Sequence, residues 1–341
     1  MKNCFVFIFV ISCLFTNINA SEKYLEAYPQ AKAIADKGSM MYGDISRRGT
    51  PFTKDPYVIS FGGRYLMYYT IPPSKNKTLV GYAIGIAESR DLVNWTRVGE
   101  ILPEKEGIEK KGICAPGLLV RDGVVHMFYQ TYGNFAKDAI CHATSTDGIN
   151  FKRNPTNPIF RPNGKWNNGR AIDAEVIKFK DKYFLYYATR DPKGEIQMQG
   201  VAVAPLNTDF SRKDWKHIST DFPILKPELS WEQKCIEAAA CVVKNDKLYM
   251  FYAGAYNNKP QQIGIAVSDD GVNFKRVSNE PFLKNGSPTD WNSSESGHPH
   301  IFVSPKGDTY LFYQGNNDKG KSYFISNLKI NFKEGIWQIV K

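Results

Sequence analysis

The stretch Tyr183-Phe-Leu-Tyr-Tyr187 has four counterparts in the same chain, and these five segments decide the fold. The counterparts are Tyr65-Leu-Met-Tyr-Tyr69, Val125-His-Met-Phe-Tyr129, Tyr249-Met-Phe-Tyr252 and Tyr310-Leu-Phe-Tyr313. In chain order, the last tyrosines of the five segments are 60, 58, 65 and 61 residues apart. Each segment follows a shorter apolar stretch and a turn signal such as Gly62-Gly63 or Asp122-Gly123. The pattern predicts a strand, a tight turn and a second strand, five times over.

A third strand and a recurrent turn follow this hairpin in three of the units. The turns are Ser89-Arg-Asp-Leu-Val-Asn-Trp95, Ser145-Thr-Asp-Gly-Ile-Asn-Phe151 and Ser268-Asp-Asp-Gly-Val-Asn-Phe274. In each, the final aromatic residue is expected to anchor a fourth, outer strand. Three or four strands per roughly 60 residues are typical of a β-propeller blade.

The segment from Asp55 to Lys341 has room for five such blades, so the predicted fold class is all-β, a five-bladed β-propeller. A β-sandwich or two smaller β-domains are the alternatives. Neither explains five in-register copies without a break in composition.

The composition agrees with a large folded core. The chain has 341 residues, of which 42% are hydrophobic and 13% aromatic, and this excludes a disordered chain. The formal net charge of +10 is a weak indication of an acidic ligand or surface. Nothing resembles a nucleotide-binding loop, a nucleophilic serine elbow or a nucleic-acid module, so no nucleic acid is expected as a partner.

The first twenty residues are predicted to be a secretory signal peptide. Lys2 gives a positive start, an apolar run covers residues 5–15, and Ala20 precedes Ser21 at the expected cleavage site. The apolar run is too short to span a bilayer, so no transmembrane segment is expected and the protein is predicted to be secreted or periplasmic. A lipoprotein site at Cys13 is the less favoured alternative, because another apolar stretch follows it.

Residues 21–54 are predicted to form an N-terminal extension and residues 55–341 the catalytic propeller. Within the extension, Glu22 to Asp36 has a helical pattern that Gly38 would end. Four cysteines remain after cleavage, and none has a metal-binding spacing. Buried thiols are therefore expected at Cys114, Cys141, Cys235 and Cys241.

The innermost strand of a propeller blade lines the central channel, and its opening residue points into a shared funnel. Counting fourteen residues back from the first three aligned tyrosines, and fifteen from the last two, places five residues there: Asp55, Ala115, Asp173, Glu237 and His298. Three converging carboxylates repel one another and are costly to bury, so their convergence indicates a function that uses them. Without an obvious metal spacing, they favour glycoside hydrolysis, in which one carboxyl donates a proton and another activates water or attacks carbon.

Several short motifs around these residues resemble glycoside hydrolase family 43, whose relatives with the same fold include families 32, 62, 68 and 117. They are Lys54-Asp55-Pro56, Cys114-Ala115-Pro116, Ala171-Ile-Asp173-Ala174 and Ile236-Glu237-Ala238. The resemblance extends from residue 55 to about residue 330. It departs from the usual pattern after Asp173 and Glu237 and at Cys114, which indicates a divergent subgroup whose sugar the resemblance does not identify.

The resemblance implies that Asp55 is the general base, Asp173 the orienting and pKa-tuning carboxylate, and Glu237 the general acid. It favours inversion, although families 32 and 68 use the blade-one aspartate as a nucleophile with retention. His298 matches a histidine that in many members lies beneath the substrate near a central ion, often calcium. A structural calcium near His298 and a hydrogen-bonding core histidine remain the two alternatives; no cofactor is expected to be required and no metal ligand is assigned.

Two further groups of residues are candidates for binding the substrate. The first group is Trp166, Trp231 and Trp291, which lie seven, six and seven residues before Asp173, Glu237 and His298. Their aromatic rings could serve as platforms for a sugar; their regular recurrence favours the alternative, that they are wedges between blades. The second group is cationic, and Arg170 is the preferred residue for binding an anionic substituent of the sugar. Arg47, Arg48, Lys54 and Lys234 are predicted to lie nearby. The alternative is that these side chains are solvated charges on loops.

The expected substrate is thus a plant or algal oligo- or polysaccharide, neutral or anionic. A propeller that binds glycans without cleaving them, a transglycosylase and a phosphorylase are the alternative functions.

Overall fold

The computed structural model describes residues 25–75 and 81–340. The predicted signal peptide, Cys4 and Cys13 lie outside the described residues. Within these residues, twenty strands form five four-stranded antiparallel sheets. The five sheets are the blades of a propeller, as the sequence predicts.

Each blade is a meander in which the first strand is innermost and the fourth outermost. The strands of blades one and two are β1 (Lys54–Phe61), β2 (Arg64–Ile71), β3 (Ala83–Ser89), β4 (Thr96–Ile101), β5 (Ile113–Arg121), β6 (Val124–Thr131), β7 (Ile140–Ser145) and β8 (Lys152–Arg153). Those of blades three and four are β9 (Ile172–Phe179), β10 (Lys182–Arg190), β11 (Gln197–Pro205), β12 (Lys216–His217), β13 (Ile236–Lys244), β14 (Lys247–Gly254), β15 (Gln262–Ser268) and β16 (Lys275–Arg276). Blade five consists of β17 (Glu295–Val303), β18 (Thr309–Asn316), β19 (Phe324–Lys333) and β20 (Ile336–Ile339).

The five repeated aromatic segments are the second strands of the blades. These strands are buried on both faces because a neighbouring blade packs on each side, which explains why their sequences are continuously apolar rather than alternating. Tyr68 and Tyr69, for example, are both fully buried, although they point to opposite faces of β2. Tyr69 belongs to a core cluster that includes Phe312 of blade five, and Tyr68 to one that includes Met127 of blade two.

The recurrent Ser-x-Asp turn joins the third strand of a blade to the fourth. In blade two, the Ser145 hydroxyl accepts the Gly148 amide at 2.9 Å, and Asp147 Oδ1 accepts the amides of Ile149 and Asn150 at 2.8 Å each. The same set of bonds holds the turns of blades one and four. The repeated sequence motif therefore specifies a turn and not a binding site.

The N-terminal extension closes the ring on blade five. Its helix α1 (Pro29–Ala35) covers the second half of the predicted Glu22–Asp36, of which residues 22–24 lie outside the described residues, and Pro29 occupies its first turn. Ala31 is buried in the core around blade five, and Tyr42 and Phe52 make single β-bridges to β19 and to the residue before it. The four cysteines after the predicted cleavage site are buried free thiols, as expected. None of the described helices is long and apolar enough to cross a membrane.

Candidate active site

The five innermost strands all break at the same point, near their first residues. The hairpin register of each blade shifts there, which marks a β-bulge. The bulged residues have positive φ angles of 53°, 49°, 52°, 53° and 43° and are, in order, Asp55, Ala115, Asp173, Ala238 and His298. Residues other than glycine rarely adopt this backbone conformation, and a bulge changes the direction in which its side chain points. The five residues line one narrow pocket in the central channel.

The bulged residue of blade four is Ala238 and not the predicted Glu237. The sequence alignment placed Glu237 at this position, but the register pairs Ala240 with Phe251 as it pairs Tyr57 with Tyr68. Glu237 therefore lies one residue earlier, where blade one has Lys54. The reason is the chain length between equivalent paired residues of the first two strands, which is one residue greater in blade five (His300 to Phe312) than in blade four (Ala240 to Phe251).

Side chains from the preceding blade hold three of the bulges in place. The Asp55 amide donates to Gln314 Oε1 at 2.7 Å, the Ala115 amide to Thr70 Oγ1 at 2.8 Å, and the Asp173 amide to Gln130 Oε1 at 2.7 Å. Gln314, Thr70 and Gln130 each lie on a second strand. Closure of the ring thus positions the two aspartates.

His298 lies between Asp55 and Glu237. Its Nδ1 is 3.0 Å from Asp55 Oδ1, and its Nε2 is 3.2 Å from Glu237 Oε1. Gln261 Nε2 also donates to Glu237 Oε1, at 2.7 Å, and Gln197 Nε2 donates to Glu237 Oε2. Glu237 is consequently surrounded by donors, which suits the ionised form of a carboxyl group.

Burial and the neighbouring charges shift the pKa values of Glu237 and His298 strongly. Burial alone raises the pKa of Glu237, but the hydrogen bond and positive charge of His298 outweigh it and hold the pKa at about 2. Burial lowers the pKa of His298, yet the charge of Asp55 and the hydrogen bond to Glu237 raise it to about 9. At neutral pH the imidazole is therefore a cation between Asp55 and Glu237.

Asp173 is the carboxyl group that holds a proton near neutral pH. Burial is the main cause that raises its pKa to about 7; the charge of His298 opposes the rise, and those of Glu237 and Asp55 add to it. Its Oδ2 is buried and has no hydrogen-bond partner among the described residues. The resemblance assigns the acid role to Glu237, whereas the electrostatics of this structure place the proton on its neighbour.

Asp173, Glu237 and His298 could together be considered as metal ligands, because their donor atoms lie within 4.8 Å of one another. Calcium takes six to eight oxygen ligands, and this set supplies two carboxylates and one imidazole. Both nitrogens of that imidazole already contact carboxylates. The three residues therefore do not fit calcium, and the calcium expected near His298 gains no support from them.

An open pocket of about 180 Å³ lies over these groups. Its lining includes the predicted Arg170 and Lys54, but it also contains residues that the sequence analysis missed, chiefly Tyr82, Tyr132, Arg190, Gln197 and Tyr256. These lie on, or next to, the loops that leave the second strands, which open at the same end of the blades as the bulges. That topological position is the only signal in the sequence that could have found them.

The three tryptophans do not line this pocket. The indole N–H of Trp166 donates to the Ser219 carbonyl at 2.8 Å, and that of Trp231 to the Asn279 carbonyl at 2.9 Å. Trp231 lies so close over Gly254 that a Cβ there would be 2.3 Å from the ring, and Trp291 covers Gly315 in the same way. Trp231 and Trp291 are therefore packing residues, close to the wedge alternative, although each packs on the second strand of the blade that it precedes, and Trp166 is fixed by its hydrogen bond to Ser219.

Three of the other predicted cations are engaged elsewhere. Arg47 pairs with Glu100 at 2.9 Å, and the exposed Lys234 lies 3.7 Å from Glu195. Arg48 lies over the ring of Phe52. Lys54 remains in the pocket and donates to Asn257 Oδ1 at 2.9 Å.

A five-bladed propeller with three carboxylates and a histidine in one pocket defines a class of enzymes that act on glycosidic bonds. The sequence matches the description "Glycosyl hydrolases family 43" over residues 49–331, and the chain belongs to that family. Membership of this family supports glycosidase activity.

Curated relatives include both phosphorylases and hydrolases. A 1,2-beta-oligomannan phosphorylase of Thermoanaerobacter is 28% identical over 224 residues, which are 63% of this chain and 67% of that protein. A sucrose-6-phosphate hydrolase of Zymomonas mobilis is 30% identical over 203 residues, 54% of this chain but only 38% of the relative.

Solved structures agree on the fold. A thermostable family-43 glycoside hydrolase superposes with a TM-score of 0.68 at 22% identity, covering 88% of this chain and 96% of the other. An endo-1,4-beta-xylanase from Bacteroides thetaiotaomicron gives 0.67 at 22% identity, covering 85% and 94%.

Proposed function

We propose that the protein hydrolyses a glycosidic bond in a plant or algal oligo- or polysaccharide, with Asp55 as general base, Glu237 as general acid and Asp173 as the carboxyl group that tunes the acid. The observation that carries this proposal is the convergence of three carboxyl groups from three blades around His298 beneath an open pocket. Two carboxyl groups with different protonation tasks are what glycoside hydrolysis needs.

The position of His298 favours inversion. An imidazole ring that contacts Asp55 on one side and Glu237 on the other holds the two carboxylates further apart than a direct contact would. Inverting enzymes need that room because a water molecule must fit between the base and the sugar. Retention would instead require Asp55 to reach the anomeric carbon itself.

A proton must reach Glu237 before it can act as the acid, because its pKa of about 2 leaves it ionised. Asp173 has a donor atom within 4.8 Å of one on Glu237 and a pKa of about 7. We infer that Asp173 supplies this proton when substrate displaces water from the pocket and weakens the contact between Glu237 and His298. In this role Asp173 tunes the acid by storing its proton.

Phosphorolysis is a second candidate, favoured by the cationic side of the pocket. Arg170, Arg190 and Lys54 lie on the same pocket as the carboxyl groups. In that reaction inorganic phosphate would take the place of the attacking water, and Glu237 would still protonate the departing oxygen.

A panel of plant and algal oligosaccharides, incubated with and without phosphate, tests the proposal. We expect wild type to release sugar from at least one member without phosphate, and Glu237→Gln to lose at least about a hundredfold in rate. Glu88→Gln is the matched control, because Glu88 is a half-exposed carboxylate paired with Arg64 away from the pocket. Tight binding of glycans with no cleavage would instead show a carbohydrate-binding propeller.

We also propose that the protein is exported, which rests on residues 1–20 of the sequence. The mass of the protein recovered from the periplasm or the medium should correspond to a chain that begins at Ser21, and Cys13→Ser should leave it unchanged. A full-length chain confined to the cytosol, or a lipid on Cys13, would contradict this.

A further inference from the structure

Two guanidinium groups converge on one oxygen atom beside the carboxyl groups. Arg170 Nη1 donates to Gln197 Oε1 at 3.3 Å, and Arg190 Nε donates to the same atom at 3.1 Å. Arg170 and Arg190 both line the pocket above Glu237. Two like charges that share one neutral acceptor repel each other, and the repulsion is strong where water is partly excluded.

The carboxyl groups of Asp55, Asp173 and Glu237 line the same pocket, but within the described residues none of them lies within 4.0 Å of either guanidinium. Among the described residues, Arg190 has no carboxylate within 4.0 Å, and its guanidinium lies 5.3 Å from the centre of the Tyr256 ring. Arg170 reaches only Asp138, at 3.6 Å, and its Nε makes no hydrogen bond within the described part of the chain. Lys54 donates to Asn257 Oδ1; burial lowers its pKa, but the charges of Asp55 and Glu295 outweigh it and raise the pKa.

Two other partly buried arginines of this chain are compensated more closely. Arg276 makes ion pairs with Glu232 at 2.7 Å and with Glu228 at 2.9 Å, and Arg153 pairs with Glu109 at 3.2 Å. Arg190 has no such carboxylate among the described residues, and the nearest one to Arg170 is 3.6 Å away.

We propose that Arg170, Arg190 and Lys54 form an oxyanion-binding subsite next to Glu237, an inference that rests on the proposed function. A guanidinium binds a carboxylate, sulfate or phosphate through paired hydrogen bonds, and two guanidiniums with one ammonium offset the charge of such a group. Gln197 connects the subsite to the reacting groups, since its oxygen accepts from both arginines and its nitrogen donates to Glu237. The anion therefore lies beside the bond that is cleaved.

The oxyanion has two possible sources, a substituent of the sugar or free phosphate. As a substituent, it selects acidic glycans for hydrolysis. As free phosphate, it is the nucleophile: one phosphate oxygen bonds to the anomeric carbon, the bond from that carbon to the leaving oxygen breaks, and the leaving oxygen takes the proton of the acid.

Calorimetric titration with inorganic phosphate, sulfate, D-glucuronate and neutral D-glucose tests the subsite. We expect at least one oxyanion to bind wild type, and Arg190→Gln to weaken it by about tenfold to a hundredfold, the usual worth of a charged hydrogen bond. Arg190→Lys keeps the charge and should recover part of the affinity. Arg121→Gln is the matched control, since Arg121 also lies over aromatic rings, 4.7 Å from the centre of Phe210, but away from the pocket.

The source follows from which probe binds. Phosphate binding together with phosphate-dependent release of a sugar phosphate supports the free anion, and glucuronate or sulfate binding with hydrolysis of acidic oligosaccharides supports the substituent. If no oxyanion binds, or if Arg190→Gln and Arg121→Gln bind alike, the subsite is refuted. Because Glu237→Gln should retain oxyanion binding, loss of the proposed catalysis and loss of the subsite are separate results.

Discussion

Glu237 and Asp173 are both buried carboxyl groups, yet their surroundings drive their pKa values in opposite directions. Glu237 accepts hydrogen bonds from Gln197, Gln261 and His298, and these hold its pKa at about 2. Asp173 has an oxygen with no such donor, and burial raises its pKa to about 7. The proton that Glu237 needs as an acid therefore lies on its neighbour Asp173.

Removing the acid should affect substrates according to their leaving groups. Glu237→Ala should slow kcat/KM for unactivated oligosaccharides by about 10²–10⁴-fold, but for activated aryl glycosides by less than about tenfold, since these leave without protonation. Asp55→Ala should slow both kinds, because water must be activated whatever departs. Steady-state kinetics on a series of aryl glycosides measures the difference.

Azide offers an independent check of the base. In Asp55→Ala it should restore turnover of an activated glycoside by attacking from the vacated space. Equal losses on activated and unactivated substrates in Glu237→Ala would show that Glu237 is not the acid, and Asp173 or His298 would become the residue to test.

The pH profile should report the proton on Asp173. Its pKa is raised to about 7, so the protonated form is present below that pH and is lost as the pH rises through it. We expect kcat/KM for unactivated substrates to fall above about pH 7 and this limb to disappear in Asp173→Asn, at a lower overall rate. Glu175→Gln is the control, because burial raises the pKa of Glu175 to about 8 on the same strand. An unchanged limb in Asp173→Asn would remove Asp173 from the proton path.

At the scale of strands, the repeat predicts the blades but not the bulges within them. Alternation and turn signals locate the hairpins, and the Asp55 and Asp173 positions follow from counting back along them. The count places Glu237 at the bulge of blade four, although it lies one residue before that bulge, because a count cannot tell in which blade the chain between paired residues is longer. Three of the bulges are held by hydrogen bonds to side chains of the preceding blade, which no local pattern contains.

The tryptophan loops show the same limit, and they allow a test of packing. Gly254→Ala would place a Cβ 2.3 Å from the Trp231 ring and should lower the free energy of unfolding by about 1–3 kcal/mol. Gly99→Ala is the matched control, because its nearest neighbour, Ile149, would be at an ordinary 3.5 Å, and its change should stay within about 0.5 kcal/mol. Urea unfolding of both variants gives the comparison. Equal stability of the two would contradict the packing role of Trp231.

At the scale of the whole molecule, closure of the ring creates the site. Asp55, Asp173, Glu237 and His298 come from four blades, and their distances depend on how the blades pack. The sequence could predict that these residues converge, since each opens an inner strand of a repeated unit. It could not predict Arg190 or Gln197, because they belong to no repeated motif and meet the carboxyl groups only in three dimensions.

The measurement that tests the central claim most directly is NMR of the anomeric protons during turnover of an oligosaccharide that wild type cleaves. We predict that the first product carries the anomeric configuration opposite to that of the substrate, and that Asp55→Asn and Glu237→Gln give no product on the same timescale. A first product with the configuration of the substrate would instead make Asp55 a nucleophile. Undiminished cleavage by either variant would contradict the assignment of the reaction to these carboxyl groups.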